Sequence, residues 1–444
     1  MRFTASEIAS ATGGSLSGAD VQLDGAGIDS RTIGPGQLFV PVVAERDGHD
    51  FIPQALSAGA SAYLTARPPL ADSGVTSVQV DDTARALAAL GEAARTRITG
   101  PVVGVTGSVG KTSTKDMLAR VLSVAVRTHA NERSFNNELG LPLTLLAAPD
   151  DTEAIVVEMG ARGVGHIATL CDIAHPTVGV VTRVDGVHLE LFGDIGAIAQ
   201  AKGELIASLP DDGLAVLNVD QDAVIAMAAR TTADVIAYGM STTADVYAED
   251  IRVDDELRPT FMLRSPWGSI EVSMAARGRH NVHNALAAAS VAGGLGLEVE
   301  QIAEGLSGAA ISGLRMELTR TVDGVAVLND AYNANPTSMR AALDALVGLT
   351  AGRKVAVVGI MAEIGDTAPA EHRAITAHAR DLGVDLIAVD APDYGSGARH
   401  VPDIDTAVAA VADLEAGDAV LVKGSRVAAL ERVAAALMAA PASR

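Results

Sequence analysis

The chain has 444 residues, enough for about three domains of ordinary size. Apolar residues make up 48% and charged residues 20%, the composition of a soluble protein with large buried cores. A formal charge of −22 repels polyanions and excludes a general nucleic-acid role, so an anionic ligand has to be held by local cations, metal or helix termini.

The first residues carry no positively charged start leading into an apolar stretch, and no run in the chain approaches about 18 apolar residues. A cytoplasmic location without membrane insertion is expected. Residues up to 97 mix short apolar runs with turns such as Gly34-Pro35-Gly36, and 82–97 read as an Ala-rich helix followed by a linker. The apolar run at 101–106 (PVVGVT) is short enough for a buried strand. It stops at a glycine loop, and 115–124 continue with helical spacing. Apolar runs at 154–158, 177–181 and 215–219 alternate with helix-like segments, the pattern of a parallel sheet covered by helices. Cys171, the only cysteine, excludes an intrachain disulfide and reads as a small buried hydrophobe. Alternation over 258–275 predicts antiparallel strands turning near Pro266-Trp267-Gly268, and 281–294 form an Ala-rich helix. From residue 325 the pattern restarts, with strands at 325–328, 354–358, 386–389 and 419–422. The expected fold is α/β in three domains: 1–97, a central parallel sheet with a mononucleotide-binding phosphate loop at 98–312, and a Rossmann-like unit at 313–444.

Gly104-Val105-Thr106-Gly107-Ser108-Val109-Gly110-Lys111-Thr112 follows a predicted strand and opens a helix. Consecutive backbone N–H groups in such a loop surround phosphate oxygens, and the helix N-terminus favours their charge. Lys111 reaches the β- and γ-phosphates and the Thr112 hydroxyl binds Mg²⁺, so ATP-Mg is the expected ligand, held by Thr106, Gly107, Ser108, Val109, Gly110, Lys111, Thr112 and Ser113. Glu158 closes the next apolar run (IVVE). Alone, a strand-end Glu is a solvated carboxylate; beside this loop it is a second metal ligand. A guanine-reading Asn-Lys-x-Asp element is absent from the sequence, and kinase, motor, switch and ligase chemistries all remain open at this point.

Separate stretches in order along the chain are more specific. They are Asp29-Ser30-Arg31-Thr32, Asp47-Gly48-His49-Asp50-Phe51, the phosphate loop, Asn136-Asn137-Glu138-Leu139-Gly140-Leu141-Pro142, Ala201-Lys202-Gly203-Glu204, Asn281-Val282-His283-Asn284, Asp330-Ala331-Tyr332-Asn333-Ala334-Asn335-Pro336 and Lys423-Gly424-Ser425-Arg426. Together they resemble the Mur ligases, ATP-dependent amide-forming enzymes of peptidoglycan precursor synthesis. An Asp-Asn-Pro-Arg element of the neighbouring amino-acid-adding branch is absent. The 359–365 stretch followed by Glu371-His372-Arg373 is similar to the dipeptide-adding branch, although Ile360 and Ala362 replace its usual Asp and Leu.

The resemblance implies ligation of D-alanyl-D-alanine to UDP-N-acetylmuramoyl-tripeptide through an acyl phosphate, by a monomer that closes over its substrates. It implies two Mg²⁺ ions, with Lys202 carbamylated by CO₂ and His188 near the second. Taken alone, Lys202 reads as a surface lysine and His188 as a structural or solvated one, and Arg183-Val184-Asp185-Gly186 before it departs from the family's usual run. Asn284 is implied to hydrogen-bond adenine, though a helix-surface amide is the plain alternative. Asp330 is implied near the ribose, with Tyr332 and Asn333 near the base. Arg315 is implied at the γ-phosphate, against a hinge salt bridge as the alternative. Residues 1–97 are implied to bind the UDP end through Ser30, Arg31 and Thr32, which in isolation form an ordinary turn. Asn136 and Asn137 are expected at the acceptor's sugar or peptide, or else as helix caps. The third domain is implied to bind the incoming amine. A regulatory ATP-binding protein would need no Glu158, Lys202 or His188. The Asp-Ser-Arg-Thr and Asp-Gly-His-Asp-Phe elements weigh against folate- or cyanophycin-type ligases.

Overall fold

The computed structural model describes residues 1–70, 74–131, 135–186 and 189–439. Among these residues, three larger sheets follow one another along the chain. The first has five strands, ordered Ser15–Ser17, Thr76–Gln79, Ala62–Thr65, Leu38–Phe39 and Ala26–Gly27. The second has nine, and its parallel part runs Val246–Val253, Asp234–Gly239, Leu214–Asn218, Val178–Val181, Val102–Thr106, Ala154–Glu158 and Thr128–Ala130. The third has six, ordered Glu317–Arg320, Ala326–Asn329, Ala419–Lys423, Lys354–Val358, Asp385–Val389 and Arg399–Val401.

The central strands read as unbroken apolar runs because helices cover both faces of a parallel sheet. Every residue of Val102–Thr106, Ala154–Glu158 and Val178–Val181 is buried. Val102–Thr106 lies between the other two, with Val103 opposite both Val156 and Val178. Its neighbours leave it in opposite directions across the sheet, so a crevice opens at its C-terminal edge, the place where open parallel sheets bind ligands. Helix Lys111–Leu122 starts there and packs on Asn281–Gly294, whose alanines permit close approach. The expected antiparallel pair is present as Pro259–Ser265 and Gly268–Ser273, joined in register at Ser265 and Gly268.

The two junctions between sheets are built differently. Helix Thr83–Arg95, which follows the first sheet, packs against Gly140–Ala147 and His166–Ala174 of the central unit. One continuous core therefore holds Leu64, Val78, Leu87 and Leu90 together with Leu141, Leu145, Ile155 and Leu170. The third sheet keeps its own two cores. Leu328, Ala356 and Leu421 face one side while Val327, Val355, Val357 and Val420 face the other, the two-residue period of strands buried on both faces. Leu257 alone reaches into these cores from before residue 313. Among the described residues no helix is long and apolar enough to cross a membrane.

Candidate active site

A cleft of about 440 Å³ opens over the phosphate loop, with the third unit forming its roof. The loop is shaped before any ligand arrives. Gly107 (φ 147°) and Gly110 (φ 90°) lie where side chains are disfavoured. A Cβ at Gly107 would come 1.9 Å from the Thr182 hydroxyl, and one at Gly110 2.5 Å from Asn284 Oδ1. Hydrogen bonds fix the rest: Ser108 N–H to the Arg183 carbonyl (2.7 Å), the Thr182 hydroxyl to the Val109 carbonyl (2.6 Å), and the Thr106 hydroxyl to the Met159 carbonyl (2.8 Å). Ser113, on the first helical turn, also lines the cleft.

Lys111 donates to the Gly107 carbonyl at 2.7 Å, curling its ammonium over the loop. Loss of water around it pushes its pKa down, Glu158 pulls the other way, and Arg315 lowers it further. A phosphate would restore the missing counter-charge. The Thr112 hydroxyl donates to Glu158 Oε2 at 2.7 Å, and Asn136 Nδ2 holds the other carboxylate oxygen at 2.8 Å. Glu158 is thereby buried and aimed by two partners. Thr112 and Glu158 offer the hard oxygen donors Mg²⁺ prefers, and Mg²⁺ needs only one or two protein ligands when phosphates and waters complete its shell. Among the described residues no group of three His, Cys, Asp or Glu converges.

Lys202 is buried on helix Ile195–Ala207 and lines the same cleft. Burial, then the Lys111 charge, push its ammonium from 10.5 to about 7, against a smaller pull from Asp185. Near neutrality it is therefore a part-neutral amine, not the surface lysine that its sequence alone suggests. His188 lies outside the described residues.

Arg315 reaches across from the third unit, and its Nη2 donates to the Thr112 hydroxyl at 3.1 Å. Its guanidinium stacks 3.6 Å from the Tyr332 ring centroid. It pairs with no carboxylate among the described residues, so the hinge salt bridge is not what forms. Leu314 and Met316 on either side both adopt positive φ (62° and 51°), a left-handed backbone that costs about 1 kcal/mol or more in a non-glycine residue. The segment opposite holds them there: Tyr332 N–H donates to the Leu314 carbonyl at 3.1 Å, and Met316 N–H to Asp330 Oδ1 at 3.1 Å. Lys423, fully buried, ties that segment together through Asp330 Oδ2 (2.5 Å) and the Asn333 carbonyl (3.0 Å). Asp330, Tyr332 and Asn333 all face the cleft.

Asn284 sits beneath Gly110, accepting from the Thr114 hydroxyl (3.2 Å) and donating to Asn281 Oδ1 (2.7 Å), so its amide braces the loop. Asn137 lines the cleft but spends its Oδ1 on the N–H groups of Leu139 (3.3 Å) and Gly140 (2.8 Å), the helix-capping role. Ser30, Arg31 and Thr32 are not brought to the cleft. Arg31 folds back on Asp29 (2.9 and 2.7 Å), Ser30 donates to Gln54 Oε1 (3.1 Å), and the Thr32 hydroxyl points to the Asp29 carbonyl (3.4 Å). Here they form the closed turn that the triplet alone suggests.

Sequence reasoning missed several cleft residues: Arg162 and His166 from the segment after Glu158, and His280 and His283 around the Asn284 motif. The His283 Nδ1 is buried without a hydrogen-bond partner, with Asp220 3.7 Å away. Burial lowers its pKa first; Asp220 raises it and Arg183 lowers it again. The paired histidines flanking Asn281 were the available signal.

Phosphate loop, strand-end carboxylate and a third unit lining the same cleft mark a nucleotide-dependent enzyme. Comparison with known proteins gives the particular family. The Mur ligase middle domain matches residues 105–292, the Mur ligase glutamate ligase domain 314–426, and the Mur ligase family catalytic domain 22–95. The UDP-N-acetylmuramoyl-tripeptide–D-alanyl-D-alanine ligase of Mycobacterium tuberculosis is 39% identical over 99% of this chain and 98% of that protein. The Escherichia coli ligase of the same name is 35% identical over 98% of each. A crystal structure of MurF from Acinetobacter baumannii superposes with a TM-score of 0.90 at 29% identity, covering 99% of both chains. That of the Thermotoga maritima MurF ligase in complex with ADP gives 0.82 at 28% identity, covering 93% of this chain and 96% of that one. The chain belongs to the Mur ligase family.

Proposed function

We propose that the chain uses ATP to join D-alanyl-D-alanine to UDP-N-acetylmuramoyl-tripeptide, as the relatives' names describe. The observation that carries this reading is the meeting of Thr112, Glu158 and Arg315, which surrounds the place of a γ-phosphate from both sides of the cleft. A peptide carboxylate is a poor electrophile. Transfer of the γ-phosphoryl group makes it an acyl phosphate, the dipeptide amine attacks, and phosphate leaves. Lys111 and Arg315 offset the charge that builds when phosphate and carboxylate approach. The loop N–H groups hold the β-phosphate in line, and closure of the third unit excludes water from the acyl phosphate.

Thr112 and Glu158 would hold one Mg²⁺. His188 and Lys202, as a carbamate, would stand near a second. Bound there, the ions supply positive charge to the phosphate and carboxylate oxygens. A carbamate forms when a neutral amine adds to CO₂ and releases a proton, and a buried Lys202 titrating at about 7 meets that requirement.

Asp330, Tyr332 and Asn333 contact the ribose and base, with Asn284 below. The domain limits 1–97, 98–312 and 313–444 are supported by the three sheets and by the matched segments. The UDP end lies against the first unit, where its diphosphate exchanges with Asp29 for Arg31. Asn136 stands beside the acceptor carboxylate, and the third unit receives the amine. The reaction suits a cytoplasmic monomer. ADP release tests the reading: with the UDP-linked tripeptide present, D-alanyl-D-alanine should stimulate it and single amino acids should not. Stimulation by a single amino acid alone would overturn the choice of amine.

A further inference from the structure

The cleft has two sides, set by the strand order. Leaving Val102–Thr106 in one direction come Val178–Val181 and Leu214–Asn218, with His283 and Tyr238 near their ends. In the other direction come Ala154–Glu158 and Thr128–Ala130, followed by Asn136, Glu138 and Arg162. This second side is backed by Gly140–Ala147 and His166–Ala174, the helices that share a core with the first unit. An acceptor anchored on the first unit enters along it.

Arg162 stands out on that side. Its segment is pinned at both ends: Gly160 N–H donates to the Asn136 carbonyl at 2.8 Å, while Glu204 accepts from Gly165 N–H (2.6 Å) and Ala168 N–H (3.0 Å). Glu204 follows Lys202 by two residues on the same helix, so the segment is tied to the reacting end of the cleft. Yet Arg162 itself is exposed and has no ion pair or hydrogen bond among the described residues. The other guanidinium groups of the cleft have partners: Arg183 pairs with Asp185 and Arg315 meets Thr112. In a chain with 55 acidic and 33 basic residues, an unpaired arginine on a pinned segment of the cleft wall is suited to an anion.

The acceptor chemistry supplies anions beyond the one that reacts. One structural relative is named for an alanyl-D-glutamyl-2,6-diaminopimelate acceptor. A glutamyl unit linked through one carboxyl keeps the other, and diaminopimelate carries two of which one is activated. Such carboxylates compete for the phosphate unless something holds them aside.

We propose that Arg162 binds a carboxylate of the acceptor peptide that is not phosphorylated, and so selects which carboxylate faces the γ-phosphate. This rests on the ligase reading above. The guanidinium fork suits a bidentate carboxylate contact, which lysine reproduces only as a point charge.

The test uses the full chain with three acceptors: the tripeptide, the same amidated at the glutamyl carboxylate, and the same amidated at the non-reacting diaminopimelate carboxylate. Arg162→Met should raise KM for the unmodified acceptor about 10- to 100-fold while KM for ATP stays within about twofold, and Arg162→Lys should recover part of the loss. One amidated acceptor should be as poor with wild type as the unmodified one is with Arg162→Met, and should lose nothing further in the variant; which one identifies the carboxylate. Unchanged acceptor KM in Arg162→Met, or losses from amidation and substitution that simply multiply, overturns the proposal while leaving the ligase reading intact. Failure of wild type to consume the unmodified acceptor overturns both.

Discussion

The junction between the first and central units is sealed with hydrocarbon, whereas the linker between the central and third units is polar and strained. In the first, Leu87 and Leu90 enter the same core as Leu141 and Leu145. In the second, the connection runs through Ser312, held to Asp116 by its N–H (2.8 Å) and hydroxyl (2.7 Å), and then through the positive-φ pair around Arg315. The contrast divides the labour. On the ligase reading, a fused first unit would keep the acceptor at a constant distance from the phosphate loop. On the same reading, a third unit joined through such a linker would open for ATP and close for chemistry.

The largest effect should follow from cutting the polar junction at its chemical end. Arg315→Ala or Lys111→Ala should lower turnover by about a thousandfold or more, since each removes a cation from the transferring phosphate. Melting temperatures should stay near wild type. Near-normal phosphate release by either variant would break the assignment of the loop. At the sealed junction the outcome should invert. Leu90→Ala opens a cavity in the shared core and should cost about 2–5 kcal/mol of stability by denaturant titration, with kcat little changed at low temperature. If the first unit instead melts separately while the rest stays folded, the junction is not one core.

The hinge should give an intermediate result. Ser312→Ala removes one of two bonds to Asp116 and should cost about 1 kcal/mol, while shifting kcat and KM for ATP together. A change in stability with no change in either constant would make the contact structural only.

The last effect concerns Lys202 and pH. Its folded pKa is about 7 against 10.5 when unperturbed, so between those values the unfolded chain binds more protons. Stability should therefore rise with pH from about 7 towards 10.5 in CO₂-free buffer, because the penalty for burying the cation is full below that window and fades through it. Lys202→Met should abolish this part of the rise. Added bicarbonate should raise wild-type activity, and a Lys202→Ala variant should regain some activity with short-chain carboxylates.

Much of the central and third sheets was legible. Unbroken runs such as those ending at Glu158 and Val358 mark strands buried on both faces, and no helix can hide in so few residues. The first sheet was not, because strands of two to four residues, such as Ala26–Gly27 and Leu38–Phe39, are too short to show a period. The phosphate loop, Glu158 and Lys202 converge as expected. Asn137 and the Ser30–Thr32 turn make local hydrogen bonds, which short polar side chains form with nearby backbone. Arg162 carried no local pattern at all. Its position depends on which strand lies next to the loop, and that is a property of topology.

The central claim is that the loop and the third unit together aim the γ-phosphate at a carboxylate. An acceptor labelled with ¹⁸O in its reacting carboxylate, turned over with ATP and D-alanyl-D-alanine, tests it directly. Acyl-phosphate formation leaves one labelled oxygen in the released inorganic phosphate. Unlabelled phosphate, or label recovered in AMP, would contradict it.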